Sequence, residues 1–241
     1  MLRKAILSVV SHRSAATLRW DFHFLRIRFL ARARGVRDRI SAQIASSPRP
    51  LYLNLGSGPR GLASPHWINV DGYPDVNVQH LVDLARPLPI ADNMLDGIFS
   101  EHVQEHFSLE DGIGLLKECH RVLVPGGWLR LVMPDAERIV KTYLENPAEL
   151  MQHRPVPSMR PMEAVNAYFR QRYEHQCLYD FDLASHAFSE AGFTDITRAD
   201  FGTGACPRDL ILDDPKYAWE SLYVDARKPA GPERHQSSVT Q

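Results

Sequence analysis

The feature that most constrains the fold is a short apolar run that ends abruptly in glycines, Leu51-Tyr-Leu-Asn-Leu-Gly-Ser-Gly-Pro-Arg60. Its alternating leucines are typical of a buried β-strand. Gly56 and Gly58 then allow a tight backbone turn from which no side chain projects, so that a flat ligand can lie against it. The run therefore predicts a strand that leads directly into a ligand-binding loop.

The glycine spacing also fits the Gly-x-Gly-x-x-Gly fingerprint of dinucleotide-binding proteins, which would indicate a nicotinamide-dependent oxidoreductase. Such a site needs a helix immediately after the loop, because the helix N-terminus meets the pyrophosphate. Only residues 57–66 separate the first strand from the next, Trp67–Asp71, which leaves room for at most one helical turn. A ligand with an adenosine but no phosphate fits better, with Asp71 placed to accept from both ribose hydroxyls.

Four stretches together make the chain resemble the class I S-adenosylmethionine-dependent methyltransferases, of the type 11-like, small-molecule and glycan-associated kind. They are Leu53-Asn-Leu-Gly-Ser-Gly58, Ile68-Asn-Val-Asp71, residues 88–102 and Glu118-Cys-His-Arg-Val-Leu-Val-Pro-Gly-Gly127. The resemblance is close over residues 51–134 and looser to about residue 228. It implies S-adenosylmethionine as cofactor and an α/β, Rossmann-like fold. In that fold a seven-stranded, mostly parallel sheet carries helices on both faces, and its last strand is antiparallel.

The resemblance also implies which residues hold the cofactor. Asp83 and Leu84, after a third predicted strand at 77–83, are expected beside the adenine. Ser100 ends the fourth predicted strand, where ligands of open α/β sheets bind. Asn54 stands where the family has a carboxylate that helps to hold the methionine ammonium, and an amide adds no charge there. The full predicted set is Asn54, Gly56, Ser57, Gly58, Asp71, Asp83, Leu84 and Ser100.

Histidines are the candidate catalytic residues. Methyl transfer is an in-line displacement that asks mainly for alignment, but a hydroxyl acceptor must also lose a proton, which a histidine can take. His102, after the fourth strand, and His175, before the last predicted helix, are the predicted catalytic pair. His106 is interpreted as shaping the loop rather than as acting on the acceptor. The possible orienting partners are Glu101, Glu105, Asp135 and Tyr179.

The segment His102-Val-Gln-Glu-His106 also matches the H-x-x-E-H motif of zinc proteases. A zinc site needs a further ligand, which the sequence does not identify. The same five residues also lie inside the methyltransferase pattern. We therefore predict no metal.

Charge is distributed unevenly along the chain. Residues 1–40 have a net charge of +8, whereas the whole chain has −1, so the remainder has −9. This acidic body argues against nucleic acid as the acceptor and favours a small molecule. The resemblance to glycan-associated methyltransferases implies a polar acceptor such as a sugar or glycan. Three scattered cysteines indicate a reducing compartment, and we predict a cytoplasmic protein.

The basic N-terminal segment predicts one amphipathic helix from about Ala15 to Ile44, with two apolar stripes and arginines on the remaining face. Packing as a cap on the catalytic domain or a second subunit is one interpretation. Peripheral contact with an anionic membrane through residues 15–44 is another, and an organelle-targeting segment is a third. The stripes are Leu18, Phe22, Leu25, Phe29, Val36 and Ile40, with Trp20, Phe24 and Ile27 beside them.

The predicted organisation has three parts: a basic helical extension at 1–45, a methyltransferase domain at 46–229 and a disordered tail at 230–241. Residues 136–180 form a predicted acceptor lid within the domain. The predicted activity is transfer of a methyl group from S-adenosylmethionine to an oxygen, or with less support a nitrogen, of a small polar acceptor. A non-catalytic scaffold protein that docks through its basic helix, and the oxidoreductase, remain alternatives. The sequence predicts neither the acceptor's identity nor the oligomeric state.

Overall fold

The computed structural model describes residues 12–153, 156–171 and 174–231. Its centre is a seven-stranded sheet. The strands are β1 (Tyr52–Leu55), β2 (Trp67–Asp71), β3 (His80–Leu81), β4 (Leu95–Glu101), β5 (Leu123–Pro134), β6 (Thr194–Ala199) and β7 (Ser221–Arg227). Their order is β3-β2-β1-β4-β5-β7-β6. Strands β1 to β5 pair in parallel, while β7 runs antiparallel to both of its neighbours. The predicted mostly parallel, seven-stranded sheet is confirmed.

The helices are α1 (His12–Ala33), α2 (Val36–Ser46), α3 (Leu109–Val122), α4 (Ala136–Glu145), α5 (Pro147–Gln152), α6 (Pro161–Arg170) and α7 (Phe181–Glu190). Helices α2, α3 and α7 cover one face of this sheet. Apolar side chains of α2, α3 and α7, such as Ile40, Leu116 and Phe188, form one buried cluster with the strand residues Leu53 and Ile98. This cluster is the main core of the protein.

The opposite face of the sheet is covered differently. Tyr52, Trp67 and Phe99 from β1, β2 and β4 pack there against Cys206 and Leu210, which belong to the loop between β6 and β7. The link from β1 to β2 contains a single 3-10 turn, Gly58–Arg60, as its short length predicts. Over these central strands the covering is therefore a loop, where the sequence predicts helices.

The predicted lid region is a small helical unit. Helices α4, α5 and α6 bury a cluster of their own, which includes Ile139, Leu150 and Ala164. A parallel bridge between Asp135 and Tyr179 closes the insertion, so that its two ends meet at the edge of the sheet. The insertion therefore leaves the sheet at the end of β5 and returns to it before α7.

The N-terminal prediction of one helix is wrong, because α1 and α2 are separated at Gly35. Gly35 has φ 58° and ψ 43°, a left-handed conformation that glycine adopts without steric cost and that ends α1. The first predicted stripe is also divided between the two helices. Its α2 residues Val36 and Ile40 are buried, whereas its α1 residues Leu18, Phe22, Leu25 and Phe29 are exposed. Of the third predicted strand at 77–83, only β3 forms.

Among the described residues, no helix is long and apolar enough to cross a membrane. The predicted disordered tail falls almost entirely on residues 232–241, which lie outside the described part of the chain.

Candidate active site

The glycine turn after β1 has no room for a side chain at Gly56 and has open space at Gly58. Gly56 has φ +75°, and a Cβ there would lie 2.1 Å from Val103 Cγ2. Gly58 has φ +46°, and no described atom lies within 4 Å of the position its Cβ would take. The amides of Gly56 and Ser57 donate to Val70 O at 2.9 and 3.0 Å, which fixes the turn to β2. The hydroxyl of Ser57 is buried and has no hydrogen-bond partner among the described residues, so it is available to a ligand.

Two carboxylates lie at the carboxyl ends of the strands on this side of the sheet, and Asp71 contacts the turn. Asp71, at the end of β2, accepts from Gly58 N at 2.8 Å and from Tyr73 N at 2.7 Å. Asp83, just after β3, accepts from Ala85 N at 3.1 Å through Oδ1. A carboxylate oxygen has two lone pairs, so both groups can still accept from a ligand hydroxyl or amine. The structure thus brings the predicted Asp71 and Asp83 to the same edge as the glycine turn.

Helix α1 packs beside Asp83 and the end of β2. Arg28 Nε donates to Asp83 Oδ2 at 2.5 Å, and His23 Nε2 lies 2.9 Å from Gly72 O. The ring of His23 also stacks on Tyr73, with centroids 4.2 Å apart. These contacts favour the interpretation of α1 as a cap on the catalytic domain. Because both stripes on α1 are apolar, the sequence could not predict which of them packs against the catalytic domain.

Three further predicted cofactor residues, Asn54, Ser100 and Leu84, are buried among other residues of the protein. Asn54 is 3% exposed, and its Nδ2 lies 3.5 Å from Asn69 Oδ1. Ser100 is fully buried and donates to Leu55 O at 2.9 Å, joining β4 to β1. Leu84 belongs to the main core. Their contact with a cofactor remains a prediction.

His102 lies at the end of β4 with φ 54°, and both of its ring nitrogens have protein partners. Nδ1 is 3.1 Å from Glu105 Oε1 and Nε2 is 3.1 Å from Ser221 Oγ, while the ring packs against Tyr217 at 4.4 Å. Burial alone would lower the pKa of His102, but the hydrogen bond and the charge of Glu105 raise it above its ordinary value. His102 therefore positions Glu105 in this structure, and its predicted role as proton acceptor remains a prediction.

Glu105 lies between His102 and His175 at the carboxyl end of β4. Its side chain is fully buried, and its Oε2 has no hydrogen-bond partner among the described residues. Burial by itself raises the pKa of Glu105, but the hydrogen bond and charge of His102 outweigh burial and lower it. An ionised carboxylate with one free oxygen is thus held in the interior, which normally requires a compensating partner.

His175 faces Glu105 from the segment after α6. Its Nδ1 lies 2.7 Å from Tyr168 O, and because a carbonyl only accepts, Nδ1 carries the hydrogen. Nε2 is buried, lies 3.9 Å from Glu105 Oε1 and has no hydrogen-bond partner in the described ranges. Burial lowers the pKa of His175, so its ring is neutral and its Nε2 lone pair is free. His106 joins the same cluster, with its ring centroid 5.0 Å from that of His175.

The remaining predicted orienting partners have other contacts. Glu101 pairs with Arg60, and Tyr179 OH lies 3.4 Å from Gln104 Nε2. Asp135 caps α4 and pairs with Arg198 at 2.7 Å. Of the four candidates, Glu105 alone hydrogen-bonds His102. The zinc-protease motif is not helical here, because only its last three residues form a 3-10 turn.

Residues 66–131 match the family model of a methyltransferase domain. The chain is similar to the solved complex between the Haloferax volcanii Trm112 methyltransferase activator and a methyltransferase, at 16% identity over 84% of this chain and 95% of that one, with a TM-score of 0.49. A SAM-dependent methyltransferase from Archaeoglobus fulgidus is 15% identical over 81% and 94% of the two chains, with a TM-score of 0.46. One from Mesorhizobium loti is 17% identical over 78% and 96%, with a TM-score of 0.44. No curated protein matches the sequence.

Proposed function

We propose that this chain, a class I S-adenosylmethionine-dependent methyltransferase, transfers the methyl group to an oxygen of a small polar acceptor such as a sugar or glycan. The segment that matches the methyltransferase model runs from the start of β2 into β5 and contains Asp71, Asp83 and Glu105. The oxidoreductase alternative is disfavoured, because the 3-10 turn after β1 offers no helix N-terminus to a pyrophosphate.

The residues at the glycine turn fit the cofactor. The buried, unpaired hydroxyl of Ser57 and the open side of Gly58 offer polar contact and space, and the carboxylates of Asp71 and Asp83 can accept from hydroxyl and amine groups. These four residues would hold S-adenosylmethionine, which supplies a methyl group already activated on a sulfonium. The rest of the chemistry asks the protein to align the acceptor and to exclude water.

The observation that carries the choice of oxygen is the cluster of Glu105, His106 and His175 beyond the end of β4. A hydroxyl is a poor nucleophile until it begins to lose its proton, so an oxygen acceptor needs groups that favour its ionised form. A neutral imidazole with a free lone pair beside a buried carboxylate provides such groups. A neutral amine is already nucleophilic and would need none of them. His102 supports the cluster by holding Glu105 in place.

The experiment begins with calorimetric titration of the purified protein with S-adenosylmethionine and S-adenosylhomocysteine. Transfer of a labelled methyl group to a panel of sugars, glycans and small phenols follows, and the methylated atom is identified by NMR. We expect both cofactor forms to bind and the product to be an ether. His175→Gln should lower kcat while leaving S-adenosylhomocysteine affinity unchanged, and His186→Gln, on the exposed face of α7, should change neither.

Two results would contradict the proposal. Methyl transfer to nitrogen alone would remove the argument from the histidine cluster. Failure of the folded protein to bind either cofactor form would favour the non-catalytic scaffold alternative.

A further inference from the structure

We propose that Glu105, His106 and His175 bind one divalent transition-metal ion, such as Zn²⁺, Mn²⁺ or Co²⁺, on the acceptor side of the site. This inference deepens the proposed function, and its role in catalysis rests on that function. The binding itself is tested independently of activity. The ion's open positions would face the acceptor oxygen, and a metal ion lowers the pKa of an oxygen that it binds.

The first argument is the convergence of ligand atoms. Glu105, His106 and His175 each offer one atom, and these atoms lie within 4.8 Å of one another. Neighbouring ligands around a tetrahedral zinc are about 3.4 Å apart, given metal–ligand distances near 2.1 Å. Closing the widest of these separations to that spacing needs a contraction of up to about 1.4 Å. Imidazole and carboxylate together are a donor set that zinc, iron and their neighbours accept.

The second argument is that two buried polar atoms face each other at a distance too long for a hydrogen bond. His175 Nδ1 donates to Tyr168 O, so in the neutral ring Nε2 presents a lone pair. That lone pair lies 3.9 Å from the Glu105 carboxylate, which also only accepts. Both His175 Nε2 and Glu105 Oε2 are buried without a hydrogen-bond partner among the described residues. A cation between them satisfies both atoms.

The third argument is the orientation of the imidazoles. Metal-binding histidines usually donate their other ring N–H to a carbonyl or carboxylate, which fixes the tautomer. His106 Nδ1 lies 3.1 Å from Glu174 O, and His175 Nδ1 has the equivalent contact to Tyr168 O. In both rings Nε2 is thus left as the ligand atom. This is not the site that the sequence motif predicts, because Glu105 replaces His102 as a ligand and His175 joins from a distant segment.

The test uses the full chain, stripped of metal with a chelator and dialysed. Titration with Co²⁺ is followed by visible absorption, and Zn²⁺ is titrated calorimetrically. We expect one ion per chain. Glu105→Gln, His106→Gln and His175→Gln should each weaken binding by more than the roughly 10- to 100-fold that loss of an outer partner of a metal site typically costs. His186→Gln should bind as the wild type does.

Two outcomes would overturn the metal site: folded wild-type protein that binds neither ion, or ligand variants that bind both ions normally. His106→Gln keeps the test decisive if Glu105→Gln does not fold, because His106, unlike Glu105, is not fully buried. The same samples are titrated with S-adenosylhomocysteine. Binding of that ligand without binding of metal would refute the metal site and leave the methyltransferase function standing.

An independent observation concerns the outer surface of α1, where four apolar side chains form an exposed ridge. Leu18, Phe22, Leu25 and Phe29 are 59%, 71%, 60% and 72% exposed. Their spacing of four, three and four residues places them on one face of the helix. The inner face of α1 packs on the catalytic domain, so the ridge points away from it.

We infer that this ridge binds the surface of an anionic lipid bilayer. Exposed arginines, including Arg19, Arg26 and Arg32, belong to the same helix, and Asp21 is its one acidic residue. An apolar face bordered by arginines is the pattern of helices that lie in the membrane interface. A stable dimer needs about 800 Å² from each partner, more than four side chains on one helix provide.

Co-sedimentation with vesicles tests this inference. We expect the protein to bind phosphatidylcholine vesicles that contain phosphatidylserine and not vesicles of phosphatidylcholine alone. Phe22→Ser with Phe29→Ser should reduce binding at least tenfold. Leu144→Ser, a control at an exposed apolar site on α4, should not. Normal binding by the double variant, or a dimer in sedimentation velocity that the double variant abolishes, would overturn it.

Discussion

Arg130 is a buried charge that holds the loop between β6 and β7 against the sheet. It lies on β5 and is fully buried with two carboxylates. Its Nε and Nη2 donate to Asp213 at 2.7 and 2.6 Å, and its Nη1 donates to Asp225 at 2.8 Å. Asp225 also accepts from the amides of Ala205 and Cys206, so the network fixes the loop between β6 and β7 to the sheet.

Replacing Arg130 by methionine leaves two carboxylates in the interior without their cation. Removing one partner of a buried ion pair costs about 3–5 kcal/mol, chiefly because the remaining charge stays buried. We expect Arg130→Met to lower the free energy of unfolding by that amount, which is a large fraction of the roughly 5–15 kcal/mol typical of a folded protein. Methionine roughly preserves the side-chain length, so the loss reports charge rather than volume.

The assay is urea unfolding followed by circular dichroism, with the free energy extrapolated to water. Arg49→Met is the matched control. Arg49 pairs with Asp96 at 2.8 Å but is 50% exposed, so its loss should cost at most about 1 kcal/mol. If Arg130→Met lost no more than the control does, the reasoning from buried charge would be refuted.

Three further outcomes are expected. Asp71→Ala should weaken S-adenosylhomocysteine binding by about 1–3 kcal/mol, as loss of charge-assisted hydrogen bonds does, and unchanged calorimetric affinity would contradict the assigned site. Gly56→Ala should prevent stable folding or cofactor binding, because the added Cβ would lie 2.1 Å from a neighbouring side chain. Gly58→Ala should lower the free energy of unfolding in urea only by the backbone strain of about 1–3 kcal/mol, because no described atom lies within 4 Å of its Cβ position. Burial raises the pKa of Cys119 and Cys206 to about 12, so a thiol reagent at pH 8 should not modify them until urea exposes them or the pH approaches 12, and rapid labelling of either in folded protein would contradict this.

Local patterns predicted the parts of this protein that depend on neighbouring residues. The sequence predicted the turn at Gly56, the acidic end of β2 at Asp71 and the absence of a helix after β1. Strands and turns can be predicted in this way because they depend on short sequence patterns. The break at Gly35 was missed, because a single glycine within a periodic pattern is tolerated by helices as well.

The missed features depend on contacts between distant segments. The contact between Arg28 and Asp83 joins residues 55 positions apart, and no local pattern specifies it. The role of His175 depends on a carbonyl that fixes its tautomer and on a glutamate from another segment. Arg130 is recognisable in the sequence as a single charged residue within an apolar strand. Its two partners could not be predicted, because they lie 83 and 95 positions away.

The loop that covers the second face of the sheet has a consequence for the order in which the chain folds. Tyr52, Trp67 and Phe99 are synthesised before Cys206 and Leu210, which bury them. Until then the central strands have one apolar face open to solvent, a condition that favours aggregation. We therefore expect the central strands to be most prone to aggregation before the loop between β6 and β7 has been synthesised.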